Sequence, residues 1–280
     1  MHINEEDPKF ICPYSDKKVL IRDGDYFLSK DGKNRYKINK NIPRFVPESN
    51  YSDSFGFQWN KFRKTQLDSF SGTNISENRL FKATGFDEKT LQGDLVLEAG
   101  SGAGRFTEVL VKQEINLYSF DYSSAVDANF LNNGDSPNLT LFQGDIFNIP
   151  FEDSTFDHVI CLGVLQHTPD PKKAFESLKS KLKKGGTIYI DCYALKFHHY
   201  FQWKYFLRPL TKRMDPIKLF TLISSIVPFF IPLTKVAKKI FGKVGSRIFP
   251  IMEFSQLGLK DDLNKDWAIL DTFDMYSPEH

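Results

Sequence analysis

Cysteine is scarce. There are three in 280 residues, Cys12, Cys161 and Cys192, and they lie far apart. That excludes a disulfide framework, and no spacing suits a metal site, so a reducing cytoplasm is expected and no metal is. Net charge is nearly lacking too, at +2. By itself this argues neither for nor against nucleic acid. The opening stretch, MHINEEDPKF, is acidic and polar, and it is no signal peptide. The one long apolar run, Leu219 to Leu233, carries Pro228 and Pro232. It falls short of the ~20 residues that a spanning helix needs. The sequence has no internal repeat and no low-complexity tract.

What is present is aromatic. Phe, Trp and Tyr make up 15% of the chain, with 27 Phe, which a core absorbs and an exposed apolar surface can also use. Four regions can be separated. Residues 1–50 read as short strands and turns, and 51–92 as a mixed segment with an aromatic helical middle, FGFQWNKF. In 93–194 apolar runs alternate with helical patterns, the mark of a parallel sheet with crossover helices. Residues 195–280 break that rhythm with aromatic, basic and proline-containing segments.

Within the third region DLVLEAG, NLYSFDYS, LTLFQGDI, FDHVICLGVL and GGTIYIDCYA read as five strands, the Gly pair being the turn into the last. Helices are expected from Gly104, from about Ser123, and from about Pro171 to Leu182. The fold class is α/β, a Rossmann-like doubly wound parallel sheet. Its ligand crevice belongs at the carboxyl ends of the first and fourth strands, where the winding reverses.

Gly100, Gly102 and Gly104 sit in LEAGSGAGRF, between the first strand and its helix. Glycines there let backbone approach a ligand at a helix N-terminus, or else serve only a tight strand-helix turn. A nicotinamide-binding turn reads G-x-G-x-x-G, whereas here the third glycine is one place early and Arg105 stands where the last should be. Asp121 ends the second strand about twenty residues on, where a carboxylate accepts from both hydroxyls of a ribose. Asp145 ends the third strand, placed to accept from an adenine amino group while Ile146 packs the ring. Asp157 opens the fourth strand and is expected to cap the bottom of the sheet.

VLEAGSGAGRFTEVL, YSFDYSSAV, GDIFNIPF, FDHVICLGVLQHTPDP and LKKGGTIYI succeed one another over about a hundred residues. In order and spacing they resemble class I S-adenosylmethionine-dependent methyltransferases, most of all the type 11 group. The resemblance implies S-adenosyl-L-methionine as cofactor. It implies that Glu98 and the glycines line its methionine end, that Asp121 binds the ribose, that Tyr122 and Ile146 sandwich the adenine, and that Asp145 holds its amino group. Gln166 is expected to touch cofactor or backbone.

A sulfonium is an activated methyl donor, so alignment of the acceptor supplies much of the rate. A hydroxyl acceptor is helped by a general base. His167, just past the fourth strand, is a base or substrate contact, or else a loop-ordering hydrogen bond. Asp191 and Tyr193 are second candidates, with sheet-end packing as their alternative. Asp274, Tyr276 and His280, on a Pro-containing loop in the tail, are candidates to face substrate. The expected activity is methyl transfer to oxygen or nitrogen of a small, sugar- or lipid-linked acceptor, with no nucleic-acid partner. The alternative is a cofactor-binding relic that docks a membrane or partner.

The first region resembles the zinc-ribbon-like domain that precedes some methyltransferases. Cys12 is alone there, with Ser15 where a second ligand would sit, so a metal-free relic is expected. Gln58, Trp59 and Arg63 are candidates to cover the cofactor, the alternative being that Phe55, Phe57, Trp59 and Phe62 pack the first helix on the sheet. The family fold continues past the fifth strand with a helix and two more strands. In this chain the cap is succeeded by DWAILDTFDMYSPEH, so a shortened protein or a fragment is expected.

Residues 195–251 hold eleven Lys or Arg and one acid, Asp215. They read as a helical cap, broken into short helices by Pro209, Pro216, Pro228, Pro232 and Pro250. Lys235, Lys238, Lys239 and Lys243 are spaced like the polar face of an interfacial helix. A peripheral position at the inner membrane face is a further expectation. Oligomeric state is not written in the residues.

Overall fold

The computed structural model describes residues 8–15, 17–47, 53–86, 91–192, 203–242 and 244–277. In chain order the elements are β1 (Ile21–Asp23), β2 (Tyr26–Leu28), β3 (Arg35–Asn39) and β4 (Ile42–Pro43), then α1 (Asp53–Lys61), α2 (Asp68–Ser71) and α3 (Ile75–Thr84). Next come β5 (Leu95–Ala99), α4 (Thr107–Leu110), β6 (Asn116–Asp121), α5 (Ala125–Asn133), β7 (Leu139–Gln143) and β8 (Phe156–Cys161). The last are α6 (Pro171–Ser180), β9 (Leu182–Ile190), α7 (Trp203–Thr211), α8 (Pro216–Phe241) and α9 (Asp261–Tyr276). They form two compact units, residues 1–63 with 74–193, and residues 64–73 with 194–280.

In the first unit a parallel sheet runs β7-β6-β5-β8-β9. The central strands β5 and β6 are buried along Val96–Ala99 and Leu117–Phe120 because both faces are covered. Val96, Leu117 and Ile160 pack with Leu80 of α3 and with Val109 and Leu110 of α4. On the other face Leu97, Phe120 and Val159 join Ala174 and Leu178 of α6.

That second face also meets the antiparallel sheet β1-β2-β3-β4. Phe10 lies 5.4 Å from Phe27, 5.1 Å from Phe45, 5.6 Å from Phe142 and 4.9 Å from Phe151, ring centre to ring centre. The N-terminal region and the core sheet therefore share one hydrophobic core. The chain just after β4 also covers the β7 edge. The Phe45 N–H donates to Gln143 O at 2.9 Å, and the Arg44 guanidinium donates to Gln143 Oε1 at 3.1 Å and Asp127 Oδ1 at 2.8 Å.

Several expectations need correction. The Gly pair is no turn into the last strand. β9 starts at Leu182 and contains both glycines, with a bulge where pairing passes from Phe156↔Leu182 to His158↔Thr187. Lys183 binds Asp157 at 2.8 Å, which holds the bulged chain to the sheet, and Gly185 adopts φ 87. This bulge and the lysines beside it blunt the strand as an edge. The helix expected from Gly104 is the four-residue α4, preceded by turns. Asp157 sits at the opening end of β8 and accepts from the Leu95 N–H at 3.0 Å, as expected of a bottom-of-sheet cap.

In the second unit the prolines do not break the cap into short helices. Pro209 lies inside α7, while Pro228 and Pro232 lie inside α8, one helix of 26 residues. Pro216 starts α8 behind the cap Asp215, where a missing N–H costs nothing. Each internal proline forfeits a backbone bond, at roughly 3 kcal/mol. Burial of Leu219, Phe220, Ile223, Val227 and Ala237, on either side of the prolines, outweighs that at about 1.5–3 kcal/mol for each large side chain. By length and composition α8 suffices to cross a membrane, contrary to the reading of the broken run. The tail is likewise no loop: Asp274 and Tyr276 end α9, and the buried Tyr276 hydroxyl donates to Pro250 O at 3.1 Å. His280 lies outside the described residues.

Candidate cofactor site

The carboxyl ends of β5, β6, β7 and β8 bring most of the expected residues to one edge of the sheet. Glu98 is 2% exposed at the end of β5. Its Oε2 accepts from Thr107 Oγ1 at 2.6 Å and Ser119 Oγ at 2.8 Å, while Oε1 is buried without a hydrogen-bond partner. Burial pushes its carboxyl up to about 7, against the pull of the two hydroxyls. Neither hydroxyl is among the sequence-based candidates, although Ser119 is legible as a polar residue inside an apolar strand.

The loop after Glu98 is held by backbone and amides. Gly100 has φ 74, and a Cβ there would stand 2.3 Å from Val164 Cγ2, so only glycine fits. The Gly102 N–H donates to Asp121 Oδ2 at 2.9 Å. From α5, Asn132 Nδ2 donates to Ala103 O at 2.8 Å and Asn133 Nδ2 to Gly104 O at 3.1 Å. Sequence reasoning misses these asparagines, although three of them on one helix side, at 129, 132 and 133, are the available signal. From α1, the Trp59 ring passes 3.5 Å from where a Cβ on Gly102 would be, so it covers the loop. Arg63 donates to Asn132 Oδ1 at 2.8 Å.

Asp121 Oδ1 accepts from the Ser123 N–H at 2.8 Å and the Ser123 hydroxyl at 2.7 Å. Burial raises its carboxyl above the usual range, opposed by those bonds and by Gly102. Three of its four lone-pair sites are thus taken, and Oδ2 keeps one for a ribose hydroxyl. Asp145 closes its own turn, accepting from the Phe147 N–H at 2.9 Å and Asn148 Nδ2 at 2.8 Å, and Ile146 is buried. Tyr14, from the N-terminal region, is a residue that the sequence does not announce. Partial burial and the negative field of Asp145 and Tyr122 push its phenol up to about 12, so Tyr14 belongs with Asp145 and Tyr122 at this end of the site. Burial and Asp145 also raise Tyr122.

Past β8, a single 3-10 turn of Leu165–His167 carries the last candidates. Gln166 Oε1 is buried without a partner, and Gln166 Nε2 lies 3.3 Å from His167 Nε2. The His167 ring meets Phe55 edge-on at 5.6 Å. Asp191 is not an open carboxylate. It accepts from Arg79 Nη2 at 2.7 Å and from the Gly163 N–H, which ties the end of β9 to α3 and to the turn bearing His167. Tyr193 lies outside the described residues.

The residues present fit an amino-acid nucleoside. An unpartnered buried oxygen on Glu98 seats a cation, the glycines admit a ligand against backbone, Asp121 suits a ribose hydroxyl, and Tyr122 with Ile146 suits a flat base. The Cys12 thiol instead accepts from Ser15 Oγ at 2.8 Å and pairs with Tyr36 Oη at 3.2 Å. No group of three or more metal-ligating side chains occurs among the described residues.

A doubly wound parallel sheet with a glycine loop and acidic residues at its carboxyl ends defines a nucleotide-binding α/β domain. A family model described as a methyltransferase domain matches residues 97–190. A tRNA U34 carboxymethyltransferase of Campylobacter fetus subsp. fetus is 24% identical over 180 residues, 63% of this chain and 59% of that protein. A ubiquinone biosynthesis O-methyltransferase of Coxiella burnetii is 27% identical over 113 residues, 40% of this chain and 48% of that protein. Among solved structures, the YcgJ protein of Bacillus subtilis has a TM-score of 0.40 at 23% identity, covering 50% of this chain and 59% of that one. The chain spans about half the length of the curated relatives it matches. Residues 97–190 therefore carry a methyltransferase domain of the class I, S-adenosylmethionine-dependent kind, and S-adenosyl-L-methionine is the cofactor that this domain implies.

Proposed function

We propose that this protein transfers a methyl group from S-adenosyl-L-methionine to oxygen or nitrogen of a small acceptor, sugar- or lipid-linked. The observation that carries the reading is Glu98 Oε1, a buried carboxylate oxygen without a partner beside a glycine loop. Bound, the sulfonium supplies an activated methyl group. Glu98 receives the ammonium of the methionine end, Asp121 a ribose hydroxyl, and Tyr122, Ile146 and Asp145 the adenine. Trp59 covers the glycine loop. His167 takes the acceptor's proton at a ring nitrogen. Asp191, fixed by Arg79, holds the turn on which His167 stands.

The matched relatives are named for tRNA U34 and for ubiquinone biosynthesis, two different acceptor classes. A small acceptor is favoured because the basic residues of 195–251 are interleaved with large apolar ones, which a phosphate backbone does not require. Calorimetry with S-adenosyl-L-methionine, then transfer of labelled methyl to sugar nucleotides, lipid-linked sugars, phenols and tRNA, tests the reading. Cofactor binding and then transfer to one small acceptor support it. No cofactor binding overturns it, and binding without turnover on any acceptor favours the non-catalytic docking alternative.

A further inference from the structure

Within the second unit, α8 has two unlike sides. Leu219, Phe220, Ile223, Val227, Thr234 and Ala237 are buried, and the Phe220 ring meets Phe273 of α9 at 5.6 Å. A second row is exposed: Leu222, Phe229, Leu233, Val236 and Ile240. Their spacings of seven, four, three and four place all five on one face of the helix. Phe229 is 67% and Ile240 65% exposed, values that a solvated surface does not call for. Val244 and Ile248 add exposed apolar surface beyond the helix end. On α7, Trp203, Tyr205, Phe206 and Leu210 are exposed as well.

Charge identifies the occupant. Lys218 and Lys239 are exposed on or beside the stripe near its two ends. Lys212, Arg213 and Arg247 are exposed in the segments that join and succeed these helices. The four lysines singled out from spacing do not form one polar face. Lys235 binds Asp261 at 2.9 Å, Lys238 binds Glu253, Lys243 lies outside the described residues, and Lys239 borders the stripe. A second copy of the chain is the poorer partner, because a two-fold contact sets this basic surface against itself. Crossing the bilayer is also excluded. α9 packs along α8 and would take Asp261, Asp262, Asp266, Asp271 and Asp274 into hydrocarbon.

We propose that α8 lies flat on an anionic phospholipid surface, with Leu222, Phe229, Leu233, Val236 and Ile240 in the acyl boundary and Lys218 and Lys239 at the headgroups. A large apolar stripe flanked by cations is the composition of an interfacial helix. α7 also exposes Trp203 and Tyr205, residue types that membrane interfaces favour.

Flotation of the full chain with vesicles tests this, comparing phosphatidylcholine alone with phosphatidylcholine plus phosphatidylglycerol. Binding is expected to need phosphatidylglycerol and to fall as salt rises. Phe229→Ser with Ile240→Ser should abolish it, and circular dichroism should show both variants folded, since both positions are exposed. Lys218→Gln with Lys239→Gln leaves the apolar stripe intact and should weaken binding about 25-fold, roughly fivefold for each charge. Failure to float with anionic vesicles at low salt overturns the proposal. So does binding that neither pair of substitutions reduces, or a solution dimer that the Phe229→Ser/Ile240→Ser pair splits.

Discussion

The hydroxyl of Thr107 donates to Oε2 of Glu98 at 2.6 Å, and the other oxygen of that carboxylate has no partner. The protein therefore orients Glu98 from one side and leaves the other for a ligand. An unpaired polar atom in a buried place is costly, and a cationic ligand removes that cost.

The first prediction rests on the Glu98 carboxyl standing near 7 in the folded protein, against 4.5 ordinarily. Between those values the folded state keeps a proton that the unfolded chain releases. The associated stability is complete below about 4.5, falls as pH rises toward 7, and is level above. Its size is on the order of 3 kcal/mol. Without cofactor, the melting temperature of Glu98→Gln should lose this slope relative to wild type. Cofactor binding at about pH 6 should release a proton, read by calorimetry in buffers of different ionisation enthalpy. Parallel pH profiles for the two proteins would remove Glu98 from this account.

The second prediction concerns Asp121, which accepts from the Gly102 N–H at 2.9 Å. Asp121→Ala should cost about 1–3 kcal/mol in cofactor affinity, the scale of a lost hydrogen bond to a charged group. Asp121→Asn, which keeps one acceptor oxygen, should cost less. Unchanged affinity in the alanine variant would remove Asp121 from the site.

The third prediction is that purified protein carries no stoichiometric zinc. Cys12 is buried, and its sulfur already faces the hydroxyls of Ser15 and Tyr36. Cys12→Ser should preserve the fold, because Phe10, Phe27 and Phe45 carry the packing of this sheet against the core. One zinc per chain by elemental analysis would contradict this.

The core is legible in the sequence because its order is local. Each of β5 to β7 is a short apolar run with a carboxylate at or just past its end, and parallel pairing then gathers those ends. What stays illegible depends on distant partners. Nothing near Asp191 in the chain announces Arg79, and nothing near Tyr14 announces Asp145. The prolines of α8 mislead for the same reason: they report the local cost of a helix, whereas residues such as Phe220 report what burial against Phe273 returns. The N-terminal sheet reads as a separate relic, since its phenylalanines are scattered in sequence and meet Phe142 and Phe151 only in space.

The last prediction separates His167 from Asp191. His167 stands on the turn after β8, while Val164 of the same turn packs where a side chain on Gly100 would be. Asp191 anchors that turn through the Gly163 N–H and is itself fixed by Arg79 at 2.7 Å. His167→Ala removes a ring without touching the Gly163 anchor. It should leave cofactor affinity nearly intact and slow methyl transfer by roughly 10²–10⁴-fold if the ring is the general base. Asp191→Ala frees the whole turn, so affinity and rate should fall together, and Arg79→Ala should reproduce the effect in weaker form. Calorimetry with the cofactor and single-turnover transfer to whichever acceptor reacts give the two numbers for each variant. If His167→Ala instead lost affinity and rate equally, His167 would be a positioning residue of the turn, and the acceptor's proton would leave by another route.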